Sequence, residues 1–503
     1  MKGIFLHKNL KYLLFTLSLT VSYGLLFVVW DFGDVPFSGF ADFLVVALQW
    51  AVITSASFPL FLLLGINRVV FTLSFPLIVL SSAVLAYFRY LLHVTLTPML
   101  VDLVVTNGMG FGADFVTWKL LLFLLVALLY SSFAVYLRCR KVEVCHWRFF
   151  VAVSLTLLAV YHGVGRLSLS VSRRMPASIF YVLRDYVSQR RTIGERIDFE
   201  ETPHCGVDSL TVVVVLGESL RADHLPMNGY ERNTTPLLAS DAHVYSLPHV
   251  YTEEVFTHTS LPVILTRADG RCDERARTER SFVSLFCKAG FRTSWLTSQE
   301  PVNTYSDFMY EADTLVYVNE GKNVYMFDRW LDGALLPSFQ RELERAYSRK
   351  MIVLHTIGSH WWYNSHFETE VFIPVLRSKN ISSSHHDAVL NSYDNTILYT
   401  DWFLWQLIGK LRDKPSILVY LSDHGESLGE NGKYLHAEDN PPLHHPACFV
   451  WTSSVYESLF PLKVAAMKRN AAKHVTTGFM FHSILDASSI TSTYLDESQS
   501  IFN

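Results

Sequence analysis

Surplus charge of either sign is missing from this 503-residue chain: 42 Lys and Arg face 46 Asp and Glu, a formal net charge of −4. That balance excludes a polyanion-binding surface of the basic kind and leaves no expectation of a nucleic-acid partner. Internal repeats and low-complexity tracts are absent too, which removes solenoids and arrays. Cysteine is sparse, six in all, with Cys205, Cys272, Cys287 and Cys448 in the later part of the chain. An outer compartment would permit disulfides, but their spacing names no pairing. After about residue 170 no long apolar run recurs, which excludes membrane spans there.

What is present lies before that point. Half the residues are hydrophobic and 14% are aromatic, with a positive mean hydropathy. Uncharged stretches run over 13–30, 43–66, 69–88, 120–137 and 149–164. A bilayer core needs roughly 20 apolar residues per helix, about 17 at least, so five membrane helices are expected, the fifth short and carrying His162. The first run has Lys2, Lys8 and Lys11 ahead of it, like a secretory signal. It is long for that role and lacks a small-residue cleavage site.

Basic residues mark alternate loops: Lys2, Lys8 and Lys11, then Arg68, then Arg138, Arg140 and Lys141. The other loops carry Asp31, Asp34 and Asp42, then Asp102 and Asp114. Positive charge stays on the cytoplasmic side. Five spans from an inner N-terminus then place everything after residue 170 outside, a periplasmic location in a cell with two membranes. We expect a transmembrane domain over 1–168, an amphipathic interfacial linker over 169–207 and a catalytic domain over 208–503. The linker sets Ile179, Phe180, Leu183, Tyr186 and Val187 at near-helical spacing among Arg173, Arg174, Arg184, Arg190 and Arg191. That pattern suits a helix on a membrane face and equally a linker helix packed on the next domain.

From about residue 208 short β-branched runs alternate with helical segments. "LTVVVVLGES", "KMIVLHTIGSH" and "SILVYLSDHGES" read as strands, and "AVLNSYDNTILYTDWFLWQLIGKL" as a helix. Continuous Val/Ile/Leu strands separated by helices predict a mainly parallel central sheet, an α/β domain covered on both faces. Ligands in such sheets sit beyond the carboxyl ends of the strands. There the three runs deliver Glu218, His360, and Asp423 with His424.

Taken singly, Glu218 reads as a helix-start acid, His355 as a satisfied core residue and His444 and His445 as solvated. His436 alone is weak, one of 20 histidines. Together, Glu, Asp and His at one sheet edge form a donor set for Zn²⁺, or Mn²⁺ as second choice. A hydroxyl beside such an ion becomes a nucleophile at neutral pH. The segment "YTEEVFTHTSLPVILT" offers Thr252, Thr257, Thr259 and Ser260, which the residues alone do not rank.

The blocks "VVVVLGESLRADHLPMNGYERNTTPLLAS", "THTSLP", "LHTIGSH", "NSYDNTILYTD" and "SDHGESLGENGKYLHA" resemble the signatures of the phosphoethanolamine transferases of Gram-negative envelopes. These are membrane-anchored members of the alkaline phosphatase/sulfatase superfamily that include the mobile colistin-resistance enzymes. The resemblance covers the soluble part in order and implies five N-terminal spans and a sulfatase-like fold. It implies zinc, one ion or two, on Glu218, Thr257, Asp423 and His424, with Thr257 the nucleophile and His360 and His436 contacting the phosphoryl group or a second zinc. The implied reaction moves phosphoethanolamine from phosphatidylethanolamine to lipid A or the lipopolysaccharide core, in the inner membrane with the catalytic domain in the periplasm.

Three features depart from the family pattern. Glu253 and Val263 stand where lipid A-modifying members carry a disulfide beside the nucleophile. "SWLTSQEPVNTYSDF" replaces another block, and "TPMLVDLVVTNGMGFGADF" keeps Thr106-Asn107 but lacks a nearby Glu unless Asp114 substitutes. These departures resemble the branch that decorates core sugars. The alternatives are a phosphoglycerol transferase like lipoteichoic-acid synthase, and a membrane-anchored phosphatase or sulfatase.

Overall fold

The computed structural model describes every residue except 1, 34, 36, 38, 93–95, 97, 99–100, 102–117, 173, 193–195, 270–273, 300–304, 319–328, 379–380, 382–383 and 437–438. Asp34, Asp102, Thr106, Asn107, Asp114, Arg173 and Cys272, and the side chains of Arg190 and Arg191, therefore lie outside the described residues. The chain forms two compact units, one over 1–188 and one over 189–319 with 329–503.

In the first unit the apolar runs become helices α1 (Lys2–Tyr23), α2 (Phe40–Ser55), α3 (Ser57–Leu64), α4 (Arg68–Leu92), α5 (Trp118–Arg140) and α6 (Trp147–Gly163). Among the described residues, four stretches, with α2 and α3 counted as one, are long and apolar enough to cross a membrane, and α6 is a shorter apolar helix. Phe15, Phe61, Phe71 and Phe75 pack edge-on or stacked in their core. Leu48, Leu73, Leu77 and Leu129 are exposed, as side chains facing lipid rather than water would be. The buried Arg138 guanidinium donates to the carbonyls of Gly65, Ile66 and Val142 and so satisfies backbone left over where α3 and α5 end. After α7 (Gly165–Ser172), α8 (Ala177–Thr192) keeps Phe180, Leu183 and Val187 exposed on one side, the apolar stripe read from the linker.

The second unit is built on a seven-stranded sheet. In chain order its strands are β1 (Leu210–Gly217), β2 (Val244–Ser246), β3 (Arg292–Thr297), β4 (Thr314–Tyr317), β5 (Arg349–His355), β6 (Ser416–Ser422) and β7 (Cys448–Thr452). Their order across the sheet is β2-β7-β6-β1-β5-β3-β4. The strands from β6 to β4 run parallel, while β7 lies antiparallel to both β6 and β2. The mainly parallel sheet expected from the β-branched runs is thus present, with an antiparallel margin. Every residue of β1 and β6 is buried, as strands covered on both faces must be. Each such Val or Leu contributes about 1.5–3 kcal/mol.

Register positions the site. Gly217 pairs with Ser422 and Leu216 with His355, so β1, β6 and β5 end level with one another. The residues that follow, Glu218, Asp423 and Thr356, leave the sheet at one edge. Helix α9 (Thr257–Leu265) starts there too, and the long helix α10 (His386–Leu411) lies where the helical periodicity placed it. Cys205, Cys287 and Cys448 are unpaired.

Candidate active site

Glu218, Asp423 and His424 each place one ligand atom within 4.8 Å of the others, all three side chains buried. The backbone fixes each of them. Ser219 N and His424 N donate to Asp423 Oδ1 at 3.0 and 2.8 Å, which leaves Asp423 Oδ2 with no hydrogen-bond partner. His424 Nδ1 meets the Gly425 carbonyl at 2.7 Å. A carbonyl only accepts, so Nδ1 carries the hydrogen and Nε2 presents its lone pair, the tautomer a metal-binding imidazole needs. That Nε2 is likewise unpartnered, 3.6 Å from Glu218 Oε1 and 3.4 Å from Asp423 Oδ2. Burial, and next the Glu218 carboxylate, push the Asp423 pKa above the usual carboxylate range. Two buried acids with an orphaned oxygen and an orphaned imidazole nitrogen between them fit a divalent cation, and the mixed O/N donor set fits Zn²⁺.

Thr257 is the first residue of α9, and its hydroxyl donates to Glu218 Oε2 at 2.9 Å. Of the four hydroxyls that the sequence left open, this is the one that meets Glu218. Thr252 Oγ1 is tied to Glu254 and Thr259 Oγ1 to Phe256 O, while Ser260 Oγ donates to Asp423 O at 2.6 Å and pins α9 to the strand end. The unpaired N–H groups and positive dipole end of α9 sit at Thr257, where a phosphoryl group on that oxygen would meet them.

His360 and His436 flank this centre. His360 Nδ1 donates to Trp361 O, which leaves Nε2 as acceptor. Burial and then the neighbouring His436 lower its pKa to about 4, with Glu426 and Asp423 also close enough to act on it. The His436 ring lies 4.9 Å from that of His424 and 5.6 Å from Phe256. Burial opposes its charge, but Glu426 outweighs burial and raises its pKa to about 9. Glu218, Thr257, His360, Asp423, His424 and His436 therefore all gather at one sheet edge.

Three further residues belong to the site and went unnoticed in the sequence. Glu426 is fully buried, has no hydrogen-bond partner on either oxygen and lies 3.6 Å from His436 Nδ1. Its place in "SDHGES", two residues after the Asp-His pair, was the available signal. Gln299 donates from Nε2 to Glu218 Oε2 at 3.0 Å and to Thr356 O at 3.1 Å. It stands at the end of β3, in the block that departs from the family pattern. Asp332 accepts from Ile357 N and Gly358 N and holds the turn that leads to His360. Gly358, at φ +49°, lets that turn approach the Glu218 backbone: a Cβ there would lie 2.9 Å from Glu218 O.

Two histidine readings need correction. His444 is not solvated: Nδ1 bonds Thr252 O at 2.6 Å and Nε2 bonds Asp439 at 2.6 Å. His355 is buried as expected, but its Nδ1 is unsatisfied.

Residues 211–490 match the Sulfatase family model. The chain belongs to the sulfatase family. It is 28% identical over 309 residues to phosphoethanolamine transferase EptA of Salmonella typhimurium, covering 58% of this chain and 55% of that one. It is 32% identical over 266 residues to the Kdo(2)-lipid A phosphoethanolamine 7''-transferase of Escherichia coli, covering 50% and 46%. The chain spans about half the length of these curated relatives. The soluble domain of lipooligosaccharide phosphoethanolamine transferase A from Neisseria meningitidis superposes with a TM-score of 0.55 at 27% identity, over 61% of this chain and 97% of that one. The full-length membrane protein shares the fold over 97% of both chains, with a TM-score of 0.55 and 24% identity. The resemblance read from the signature blocks is borne out.

Proposed function

We propose that the chain transfers phosphoethanolamine from phosphatidylethanolamine, through a phosphothreonine at Thr257, to a lipopolysaccharide acceptor, a lipid A phosphate or a core sugar. The observation that carries this reading is the Thr257 hydroxyl held at the helix N-terminus against Glu218, beside the Asp423–His424 pair.

Glu218, Asp423 and His424 would hold Zn²⁺. The ion would supply a Lewis acid that makes the neighbouring hydroxyl acidic at neutral pH. Thr257 Oγ1 attacks phosphorus as the bond to the diacylglycerol oxygen breaks, and a proton equivalent to the one Thr257 gives up ends on the departing oxygen. An acceptor oxygen then displaces Thr257 from the phosphoryl group and restores its hydroxyl. The N-terminus of α9 and the imidazoles of His360 and His436 face the phosphoryl oxygens, where charge develops. Gln299 and Ser219 keep Glu218 aimed through both reactions. Membrane helices would hold the enzyme beside lipid donor and lipid acceptor and raise their effective concentration. The relatives named as phosphoethanolamine transferases support the activity, and the periplasmic domain of Escherichia coli EptC, crystallised in complex with Zn, supports the metal. An inner-membrane, periplasm-facing enzyme is part of the same reading.

The test compares lipid A and core oligosaccharide, by mass spectrometry, from cells with and without the gene and from cells carrying Thr257→Ala. The mass of one phosphoethanolamine group is expected with the wild-type chain only. Its persistence in the alanine variant would refute the assignment of the nucleophile. Addition of phosphoglycerol would favour the lipoteichoic-acid-type alternative.

A further inference from the structure

The segment that delivers Thr257 presents an outward row of rings. His249, Tyr251 and Glu253 are exposed while Val250 and Thr252 between them are buried, the two-residue alternation of an extended strand. His474 stacks on His249 with centroids 4.6 Å apart and planes 16° from parallel. His444 stacks on Tyr251 at 5.3 Å and 10°, and His445 lies roughly perpendicular to the same ring, at 5.8 Å and 71°. Tyr251 remains 40% exposed and Phe256, next to the nucleophile, 37%.

The platform is held rigidly. Val475 N donates to His249 O, Thr477 N to Tyr251 O and Thr252 N to His444 O, while His444 Nδ1 returns a bond to Thr252 O. Nothing in the chemistry described so far uses these rings. A metal site is an unsuitable explanation: among the described residues, the group whose ligand atoms converge is Glu218, Asp423 and His424, with none of these four histidines in it. An aliphatic ligand is equally unsuitable, because the row offers imidazole, phenol and carboxylate and no exposed aliphatic side chain.

Flat π faces bordered by ring N–H groups and a carboxylate match a pyranose, whose C–H face packs on an aromatic ring while its hydroxyls reach hydrogen-bond partners at the edge. The row lies on the segment that leads into Thr257. Thr257 comes six positions after Tyr251, so the two lie within about 20 Å by chain length alone.

We infer that the surface formed by His249, Tyr251, His444, His445 and His474 is the platform on which a sugar ring of the acceptor glycolipid is laid before its oxygen reaches Thr257. This inference rests on the proposed transfer reaction and adds its acceptor-binding residues. Tyr251 is the central contact and His444 positions it from beneath.

The experiment uses the full-length chain in phospholipid nanodiscs containing phosphatidylethanolamine, with purified lipopolysaccharide as acceptor. Diacylglycerol release in a single turnover without lipopolysaccharide reads the donor half of the reaction. Mass-resolved transfer against lipopolysaccharide concentration reads the acceptor half. Tyr251→Ala and the double variant His249→Ala/His474→Ala are expected to raise the acceptor KM about five- to tenfold, with donor release unchanged. Tyr251→Phe is expected to stay within about twofold of wild type, because the ring face is kept. An acceptor KM unmoved by Tyr251→Ala overturns the inference, as does a parallel fall in donor release, which would make Tyr251 a support for the nucleophile helix. If wild type itself moves nothing onto lipopolysaccharide, or if Thr257→Ala still releases diacylglycerol, the transfer reaction fails and the inference with it. Thr257-dependent transfer with an unaltered Tyr251→Ala KM sinks the inference alone.

Discussion

Thr257 and Glu218 touch across 2.9 Å although one opens a helix and the other directly follows a strand, 39 residues earlier. The contact fixes χ1 of a β-branched residue as well as the direction of its hydroxyl. Thr257→Val, equal in shape but without the hydroxyl, is expected to abolish transfer while melting within a few degrees of wild type. Thr257→Ser keeps the oxygen but gains rotamers, and transfer should fall roughly tenfold through lost orientation. Transfer rates beside thermal melts separate the two outcomes.

Asp423 stands where it would serve an ion, at a cost to the fold. Its carboxyl is buried beside Glu218, and both influences raise its pKa. A raised folded-state pKa means that stability is greatest at low pH and falls as the acid must ionise. Asp423→Asn keeps an acceptor for Ser219 N and His424 N and removes the repulsion. The metal-free variant should therefore melt higher than metal-free wild type at neutral pH, while titration calorimetry should find zinc binding lost.

Gly358 is a point where one methyl group decides the geometry. At φ +49° any side chain is strained, and its Cβ would press on the Glu218 backbone. Gly358→Ala should cost about 1–3 kcal/mol and displace both Glu218 and His360. The expected result is weaker zinc binding and slower transfer together. Retention of both would show that the turn relaxes without moving the strand end.

Glu311 makes a pH-dependent contribution to stability through its own local contacts. Burial lifts its pKa to about 7, while its oxygens accept from the N and Oγ of Ser281, which caps a short helix. The native state holds a proton that the unfolded chain releases, so this contribution falls as pH rises from about 4.5 to about 7. Glu311→Gln keeps an acceptor and removes the titration. Its melting-temperature advantage over wild type should grow from about pH 5 to about pH 8 and then level off.

Much of this was legible in the chain because buried parallel strands leave a distinctive trace. "LTVVVVLG" and "SILVYLS" are apolar on both faces, and Glu218 and Asp423-His424 follow them directly, so sheet edge and candidate ligands could be read together. Gln299 and Asp332 left no such trace. Their roles come from hydrogen bonds to backbone distant in sequence, and no local spacing encodes them. His444 was misread for the same reason: a histidine before His445-Pro446 looks like a loop residue until Thr252 and Asp439 close around it. Glu426 was visible but overshadowed by its ligand neighbours.

β6 runs between β1 and β7, and the 204 positions separating Ser219 from Asp423 must be synthesised before their hydrogen bond can form. Loops that long close slowly. On the proposed reaction, a nascent or truncated chain ending short of residue 424 lacks part of the group that would hold the ion and is expected to be chemically silent. The candidate site is complete only once β6 has paired with β1, so incomplete copies would leave the proposed phospholipid donor untouched.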